Sequence, residues 1–360
     1  MFTQTLTKRV LGSNLVDLLT GPHGVDRYTE LVAPTWTLAE ARAKVVAVRR
    51  STPRSVTLTL EPNAVFTDCN SLEAGQHVNL TLEIDGRRRT RCYSPANAQG
   101  ASLLELTIGL HDGGLVSTYL RTHARPGMIV GLHGAGGDFV LPAQRPRRML
   151  FVSGGSGITP IMSMLRTLQA ERFDGEVAVI HYARSAAEAC YSSELAAMPG
   201  VHVLNVFTRE GGAPGPSGNA GPTGHFDADH LAVAMPVPDA VFVCGPPVLV
   251  DAVRECCPQA RSESFVPAAF VIPAGPSGGR VTFTESGVGV IDDGRSLLEQ
   301  AENAGLSPEN GCRMGICHTC TRRVTSGAVR NLTNGAVSTP DDEDVQICVS
   351  VPVGDVKLAL

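Results

Sequence analysis

The chain has 360 residues, enough for two or three domains that each bury a core of their own. Apolar residues make up 43% and charged residues 18%, a globular balance that excludes a disordered chain. Thirty basic side chains against 35 acidic ones leave a net charge of −5, so the basic footprint of a nucleic-acid binder is missing.

Residues 1–40 read as a helical extension. Leu6, Val10, Leu15, Leu18 and Leu19 recur at helical spacing, and Gly21-Pro22-His23-Gly24 ends the run. Such a helix packs on the body of the protein or offers a contact to a partner or a membrane surface. Asn14 and Asp17 interrupt the apolar run that follows Lys8 and Arg9, which a secretory signal would not do. No stretch approaches ~18 consecutive apolar residues, so no transmembrane helix is expected, and a cytoplasmic protein is predicted.

Residues 41–143 change to short β-rich runs. Val45–Val48, Ser55–Leu60 and His77–Leu82 are strand-like, and the last two alternate with period two. Close spacing with Gly and Pro turns predicts a small antiparallel barrel. Arg91-Cys92-Tyr93-Ser94 follows a predicted strand, and some 20 residues on Gly114-Leu115-Val116-Ser117 opens a helix through Tyr119 and Leu120. A helix N-terminus that starts with small residues attracts anions and suits a flavin pyrophosphate. By itself Arg91 could also belong to the solvated basic run Arg87–Arg89.

Residues 144–267 alternate strand, loop and helix. Met149–Val152, Val177–Ile180 and Ala240–Val243 are continuous apolar strands, as in a parallel sheet covered on both faces. The first runs into Ser153-Gly154-Gly155-Ser156-Gly157-Ile158-Thr159-Pro160, whose glycines let the backbone approach a pyrophosphate at a helix N-terminus. Val243-Cys244-Gly245-Pro246 ends another strand, and ligands of open parallel sheets gather at such carboxyl ends. Ala183-Arg184-Ser185 follows the strand Val177–Tyr182 with no acid at its end. An acid there would bond a ribose hydroxyl, whereas Arg184 and Ser185 suit a 2′-phosphate, so NADPH is expected; nearby Glu188 keeps NADH open.

Gly211–Gly224 reads as a surface loop, and residues 268–279, with the Gly/Pro-rich stretch Pro273–Gly279, read as a linker before a last domain at 280–360. The chain holds ten cysteines, many for a compartment that disfavours disulfides, so clustered ones point to metal or redox work. Cys312-x4-Cys317-x2-Cys320, with Cys348 after 27 more residues, has the ligand spacing of a plant-type [2Fe–2S] cluster. Zinc sites pair two short Cys-x2-Cys or Cys/His units instead. His318 lies inside the loop without being required as a ligand. Cys69, Cys92, Cys190, Cys256 and Cys257 have no ligand spacing and read as small packed or surface residues. The acidic run Asp341–Asp344 is a solvated turn or a docking patch.

Taken in this order, the motifs resemble the ferredoxin–NAD(P) reductase family along residues 41–360, with a ferredoxin domain at the C-terminus. The resemblance implies three folds: an antiparallel β-barrel for flavin, an α/β parallel-sheet nucleotide domain and an α+β ferredoxin-like (β-grasp) domain. It implies that Arg91 contacts a flavin phosphate, that Tyr93 lies along the isoalloxazine and ribityl chain, and that the Ser94 hydroxyl approaches the flavin N5. It places Cys244 near the nicotinamide, and Glu263-Ser264-Phe265 at the family's terminal Glu-x-Phe position beside the flavin. Ser94, Cys244 and Glu263 are therefore the catalytic candidates. FAD is implied over FMN, which some relatives with this domain order hold. The implied activity is NAD(P)H oxidation with electrons passed through FAD and [2Fe–2S] to a partner. Leu19–Tyr28 is similar to the opening of reductases that serve membrane-bound fatty acyl (stearoyl-CoA) desaturases, which makes a desaturase the expected partner, reached by peripheral membrane contact. The alternative partner is an aromatic-ring or alkane oxygenase, and a non-catalytic [2Fe–2S] sensor is the reading from another class.

Overall fold

The computed structural model describes residues 26, 29, 33–209, 223–264, 278–311, 313–315, 318–340 and 342–360. Their contacts gather into two compact units, one comprising the chain up to Leu82 with Tyr93–Gly245 and Leu249–Glu263, the other Glu83–Cys92, Pro246–Val248 and Ser264–Leu360.

The flavin sheet is antiparallel. Strands β1 (Arg42–Thr52), β2 (Ser55–Pro62), β3 (His77–Ile84), β4 (Arg87–Tyr93), β5 (Leu104–Gly109) and β6 (Ile129–Gly136) take the order β4-β3-β6-β1-β2-β5. Period-two patterning decides which face turns inward. Val56, Leu58 and Leu60 of β2, Val78, Leu80 and Leu82 of β3, and Leu104, Leu106 and Ile108 of β5 are all buried. The Ala96 amide, just past β4, donates to the Glu105 carbonyl on β5 at 2.8 Å and draws the two ends of the sheet together. Two helices, α1 (Ala64–Cys69) and α2 (Leu115–His123), interrupt the strands.

The nucleotide sheet is wholly parallel, in the order β11-β10-β7-β8-β9. Its strands are β7 (Arg148–Gly154), β8 (Glu176–Ala183), β9 (Val201–Phe207), β10 (Ala240–Cys244) and β11 (Arg261–Glu263). Helices α3 (Ile158–Ala170), α4 (Ser192–Ala197), α5 (Ala228–Ala234) and α6 (Pro247–Cys256) lie between them. Chain order leaves β7 for β8 on one side and returns to β10 on the other, so the sheet reverses between β7 and β10, the place where such sheets take ligands. The continuous runs work as predicted: Leu150, Val152, Ile180, Val241 and Val243 share one buried cluster.

Arg166 of α3 rivets the two sheets together. Its Nη1 donates to the Ala96 carbonyl and to Glu105 Oε1, both at 2.9 Å, while Nε and Nη2 grip Glu194 at 2.7 Å each. The guanidinium also lies 5.3 Å from the centroid of the Tyr191 ring. A forked, partly buried pair of this kind fixes geometry better than a single surface ion pair does.

In the second unit β12 (Arg280–Phe283), β13 (Val288–Ile291), β14 (Thr321–Asn331), β15 (Val337–Ser338) and β17 (Ser350–Leu358) follow the order β13-β12-β17-β14-β15, and β16 (Glu343–Gln346) pairs with β14. Only the β12–β17 pairing is parallel among them. Helix α7 (Leu297–Asn303) buries Leu297, Leu298 and Ala301 in this unit's core. Ser296 and Ala304 cap the helix, and Ser296 with Glu299 forms a capping box.

The expected helix at Leu6–Leu19 and most of the Gly211–Gly224 loop and the Pro273–Gly279 linker lie outside the described residues. Asp26 lies within them and serves structure: its carboxylate accepts from Thr37 Oγ1 at 2.7 Å and from the Leu38 and Ala39 amides at 2.8 and 3.1 Å. Among the described residues no helix is long and apolar enough to cross a membrane.

Candidate redox site

The glycine turn forms as its sequence requires. β7 ends at Gly154, and one 3-10 turn, Gly155–Gly157, leads into α3. Beside it β10 runs in parallel, with Cys244 next to Ser153. A Cβ on Gly157 would stand 2.2 Å from the Cys244 carbonyl oxygen, and one on Gly245 would stand 3.0 Å from the Gly154 amide. Bare backbone therefore meets bare backbone at the switch point, an approach that only glycine allows. The Thr159 hydroxyl donates to the Ser156 carbonyl at 3.1 Å and closes the turn. A Cβ on Gly109, the last residue of β5, would stand 3.1 Å from Ser156 Cβ, so the turn lies against the flavin sheet. Pro246 follows on the surface and starts the approach to α6.

The three catalytic candidates occupy strand ends. Glu263 closes β11 directly beside Cys244. Cys244 is fully buried; burial first, then the Glu263 charge, pushes its thiol well above the ordinary range, so it stays neutral. Burial likewise raises the Glu263 carboxyl, against the pull of His77, whose Nδ1 stands 3.5 Å from Oε1. Ser94 is 3% exposed. Ser94 Oγ and Glu263 Oε2 are buried with no hydrogen-bond partner among the described residues. Buried polar atoms are rarely left so, and a flavin ring edge with its donors and acceptors would satisfy them.

Arg91, Cys92 and Tyr93 belong to β4 rather than following a strand, a correction to the sequence reading. The alternation was hidden because the inward residues are Thr90 and Cys92, which do not read as apolar. Arg91 is half-buried, and its Nη1 donates to the Thr90 and Gly311 carbonyls at 2.8 Å each. At the start of α2 no side chain caps the helix and no acid occupies the first turn. Ser117 Oγ bends back to the Gly114 carbonyl at 3.2 Å, Val116 is buried and Leu115 is 45% exposed. Of the four residues, then, Val116 and Leu115 bring only apolar side chains, and the Ser117 hydroxyl is engaged within the turn.

At the ends of β8 and β9 positive charge accumulates. Arg184 and Ser185 follow β8, and the Arg209 amide, two residues past β9, donates to the Arg184 carbonyl at 3.0 Å. A hydrogen bond from Arg54 at 2.7 Å holds the Asp112 carboxyl below its ordinary range, with the charges of Arg184 and Arg209 adding to it. Burial lowers His111, and Arg54 and Arg184 lower it further. Arg54 and Arg209 escaped the sequence reading; the one signal for Arg209 was its place just past the next strand.

Of the four cysteines with cluster-ligand spacing, Cys320 and Cys348 are described, at 1% and 5% exposure in the core of the second unit. The Ile347 amide donates to the Cys320 carbonyl at 3.4 Å, where β14 and β16 pair, which brings the two cysteines to neighbouring strand ends. Cys312 and Cys317 lie outside the described residues, and among the described ones no three metal-ligating side chains converge. Gln346 Nε2 donates to the Gly315 carbonyl at 2.7 Å and meets His318 Nδ1 at 3.0 Å, so that imidazole nitrogen is engaged by protein. Asp342 and Asp344 pair with Arg323 at 3.3 Å each, which favours the solvated-turn reading of the acidic run. The other cysteines have no common site: Cys92 and Cys190 are buried, Cys69 and Cys256 exposed and Cys257 in between.

Comparison with known proteins agrees with this layout. The chain matches the oxidoreductase FAD-binding domain over residues 64–141, the oxidoreductase NAD-binding domain over 151–255 and the 2Fe-2S iron–sulfur cluster binding domain over 282–353. It is 36% identical to an NADPH oxidoreductase of Mycobacterium tuberculosis, across 94% of this chain and 90% of that one. A glycine betaine monooxygenase reductase subunit of Pseudomonas aeruginosa is 29% identical, across 79% of this chain and 86% of its own. In fold the chain is similar to phthalate dioxygenase reductase, with a TM-score of 0.57 and 22% identity over 89% of this chain and 97% of that one. With flavin, nucleotide and cluster domains in this order, the chain belongs to the ferredoxin–NADP reductase-like oxidoreductases that carry a C-terminal [2Fe–2S] domain.

Proposed function

We propose that this reductase takes its electrons from NADPH and delivers them to an oxygenase. The observation that carries the nucleotide choice is the grouping of Arg54, Arg184 and Arg209 around Asp112, without an acid at the carboxyl end of β8 to claim a ribose hydroxyl. Arginine forks suit a phosphomonoester, and the Mycobacterium relative is named for NADPH.

In this reading the backbone of Gly154–Gly157, with Thr159, Gly245 and Pro246, holds the nucleotide pyrophosphate. Arg91 and the α2 N-terminus hold the flavin phosphates, Tyr93 lies along the flavin, and Ser94 and Glu263 meet its ring edge. Cys244, neutral and buried, shapes the place where the nicotinamide enters. Bound FAD and the [2Fe–2S] cluster together supply the conversion of a hydride pair into single electrons. Cys312, Cys317, Cys320 and Cys348 hold the cluster.

For the partner, the Pseudomonas relative is a reductase subunit of a monooxygenase. The desaturase implied by Leu19–Tyr28 has no support in these relatives, and Asp26, the described acid of that segment, is engaged in capping the turn at Thr37–Ala39. The oxygenase therefore displaces the desaturase as the first reading. The test is a coupled assay of the purified, reconstituted chain with candidate oxygenase components and, separately, with desaturase-containing membranes. NADPH-dependent product with an oxygenase is the expected result; product with the membranes alone reverses the assignment.

A further inference from the structure

Oxidation of NADPH delivers a hydride, and with it one net negative charge, into a buried site that already holds a carboxylate. Like charges in a low dielectric repel strongly, so a second proton has to accompany the hydride or the carboxylate opposes it. We propose that His77 and Glu263 form a proton-holding pair beside the flavin site, with His77 as the residue that positions Glu263. The proposal rests on the flavin and NADPH reading given above.

His77 is the first residue of β3, pairs with Gly136 on β6 and is 4% exposed. β4 is its other neighbour in the sheet, so the end of that strand, Tyr93 and then Ser94, lies at the same end of the hairpin. Nδ1 of His77 stands 3.5 Å from Glu263 Oε1, an ion-pair distance rather than a tight hydrogen bond. Gly137, at φ +101°, makes the approach possible: a Cβ there would stand 2.9 Å from Nδ1 and 3.4 Å from Oε1. Imidazole and carboxylate thus face each other through a gap that only glycine leaves open. Glu263 Oε2 is the oxygen with no partner, and a proton can settle on it.

β3, which carries His77, has β6 and the arginine-bearing β4 as its sheet neighbours. β11 contributes Glu263 itself, with Arg261 at its other end, β10 the neutral Cys244 thiol, and β6 the glycine Gly136 opposite His77, with His133 farther along. Burial raises the Glu263 carboxyl, which favours its protonated form, and His77 opposes that rise.

The balance closes. As the hydride arrives the pair takes one proton from water, forming an O–H or N–H bond. When both electrons have left singly for the cluster, the pair returns that proton and the hydride's own proton also leaves. One NADPH then yields NADP+, two electrons and one proton.

The test is spectroelectrochemical titration of the flavin in the full-length holoprotein between pH 6 and 8, for wild type, His77→Gln and Glu263→Gln. One extra proton taken up with two electrons steepens the pH dependence of the two-electron potential by about 30 mV per pH unit, the tenfold-per-two-electron constant. Wild type should show that extra slope, and both variants, reconstituted with FAD, should lose it. Equal slopes in all three overturn the pair. A slope lost only in Glu263→Gln overturns the part assigned to His77. A wild-type chain that holds no flavin, or whose flavin NADPH does not bleach, overturns the functional reading and the pair with it.

Discussion

Arg184 and Arg209 stand at the ends of neighbouring parallel strands, and one backbone bond between them sets their spacing. Each is expected to add a charge-assisted contact to a 2′-phosphate worth about 1.5–3 kcal/mol. Arg184→Ala and Arg209→Ala should each raise the KM for NADPH by about ten- to a hundredfold and leave that for NADH nearly unchanged. Steady-state reduction of ferricyanide with the two nucleotides measures the gap; a parallel rise for both would remove these residues from the phosphate site. His181 offers a second residue-level test. It is fully buried at the end of β8, its Nδ1 2.8 Å from Ser153 Oγ, and burial pulls its pKa from 6.5 down to about 4. Below pH 6.5 the unfolded imidazole takes a proton that the folded one refuses until about pH 4. Its stability contribution is therefore whole above pH 6.5 and lost as the pH falls toward 4. At pH 5 the loss is about 2 kcal/mol. Urea unfolding at pH 7 and pH 5 should show His181→Asn losing less on acidification than wild type; equal losses would mean that this imidazole is not what the acid attacks.

At the level of elements, α7 shows how local chemistry supports a cofactor loop. A helix of seven residues does not hold together on its own, so packing and capping must hold it. Leu297, Leu298 and Ala301 supply the packing, and the Leu298 amide donates to the Ile347 carbonyl at 3.0 Å, next to Cys348. Ser296→Ala removes the capping box and should cost about 1 kcal/mol. It should also speed cluster bleaching by a chelator while leaving flavin content alone; unchanged bleaching would separate the helix from the cluster. The same level explains what was legible beforehand. Continuous apolar runs announced β7, β8 and β10 because strands buried on both faces have no polar side, and the glycine turn announced itself through backbone demands that few residues meet. β4 was obscured by Thr90 and Cys92 on its inward face. The pairing of His77 with Glu263 was invisible, since it depends on β11 lying beside β10 and on room left by Gly137, and neither adjacency leaves a mark in local sequence. Arg209 was missed for the same reason: its value lies in the strand next door.

Across the whole molecule, the nucleotide sheet and the second unit have cores with no residue in common, so each buries its own apolar surface. Arg166 ties the flavin sheet to the nucleotide sheet through Glu105 and Glu194, all within the first unit. The nucleotide sheet and most of the flavin sheet belong to the first unit, while the 2Fe-2S cluster binding domain, with most of β4, belongs to the second. A truncation ending near Pro273 removes the 2Fe-2S cluster binding domain and leaves the flavin and nucleotide motifs in place. Such a chain should retain FAD and still reduce ferricyanide from NADPH, because that dye can draw electrons directly from flavin. It should fail to reduce cytochrome c efficiently or to support the oxygenase. Cys348→Ser in the full-length chain gives the matching control, losing the cluster through one ligand while the second unit keeps its other residues. If both lose acceptor activity and both keep the ferricyanide reaction, the cluster is the obligatory exit. If the truncated chain serves the acceptor as well as the full-length protein does, electrons leave from the flavin directly and the serial route through the second unit is wrong.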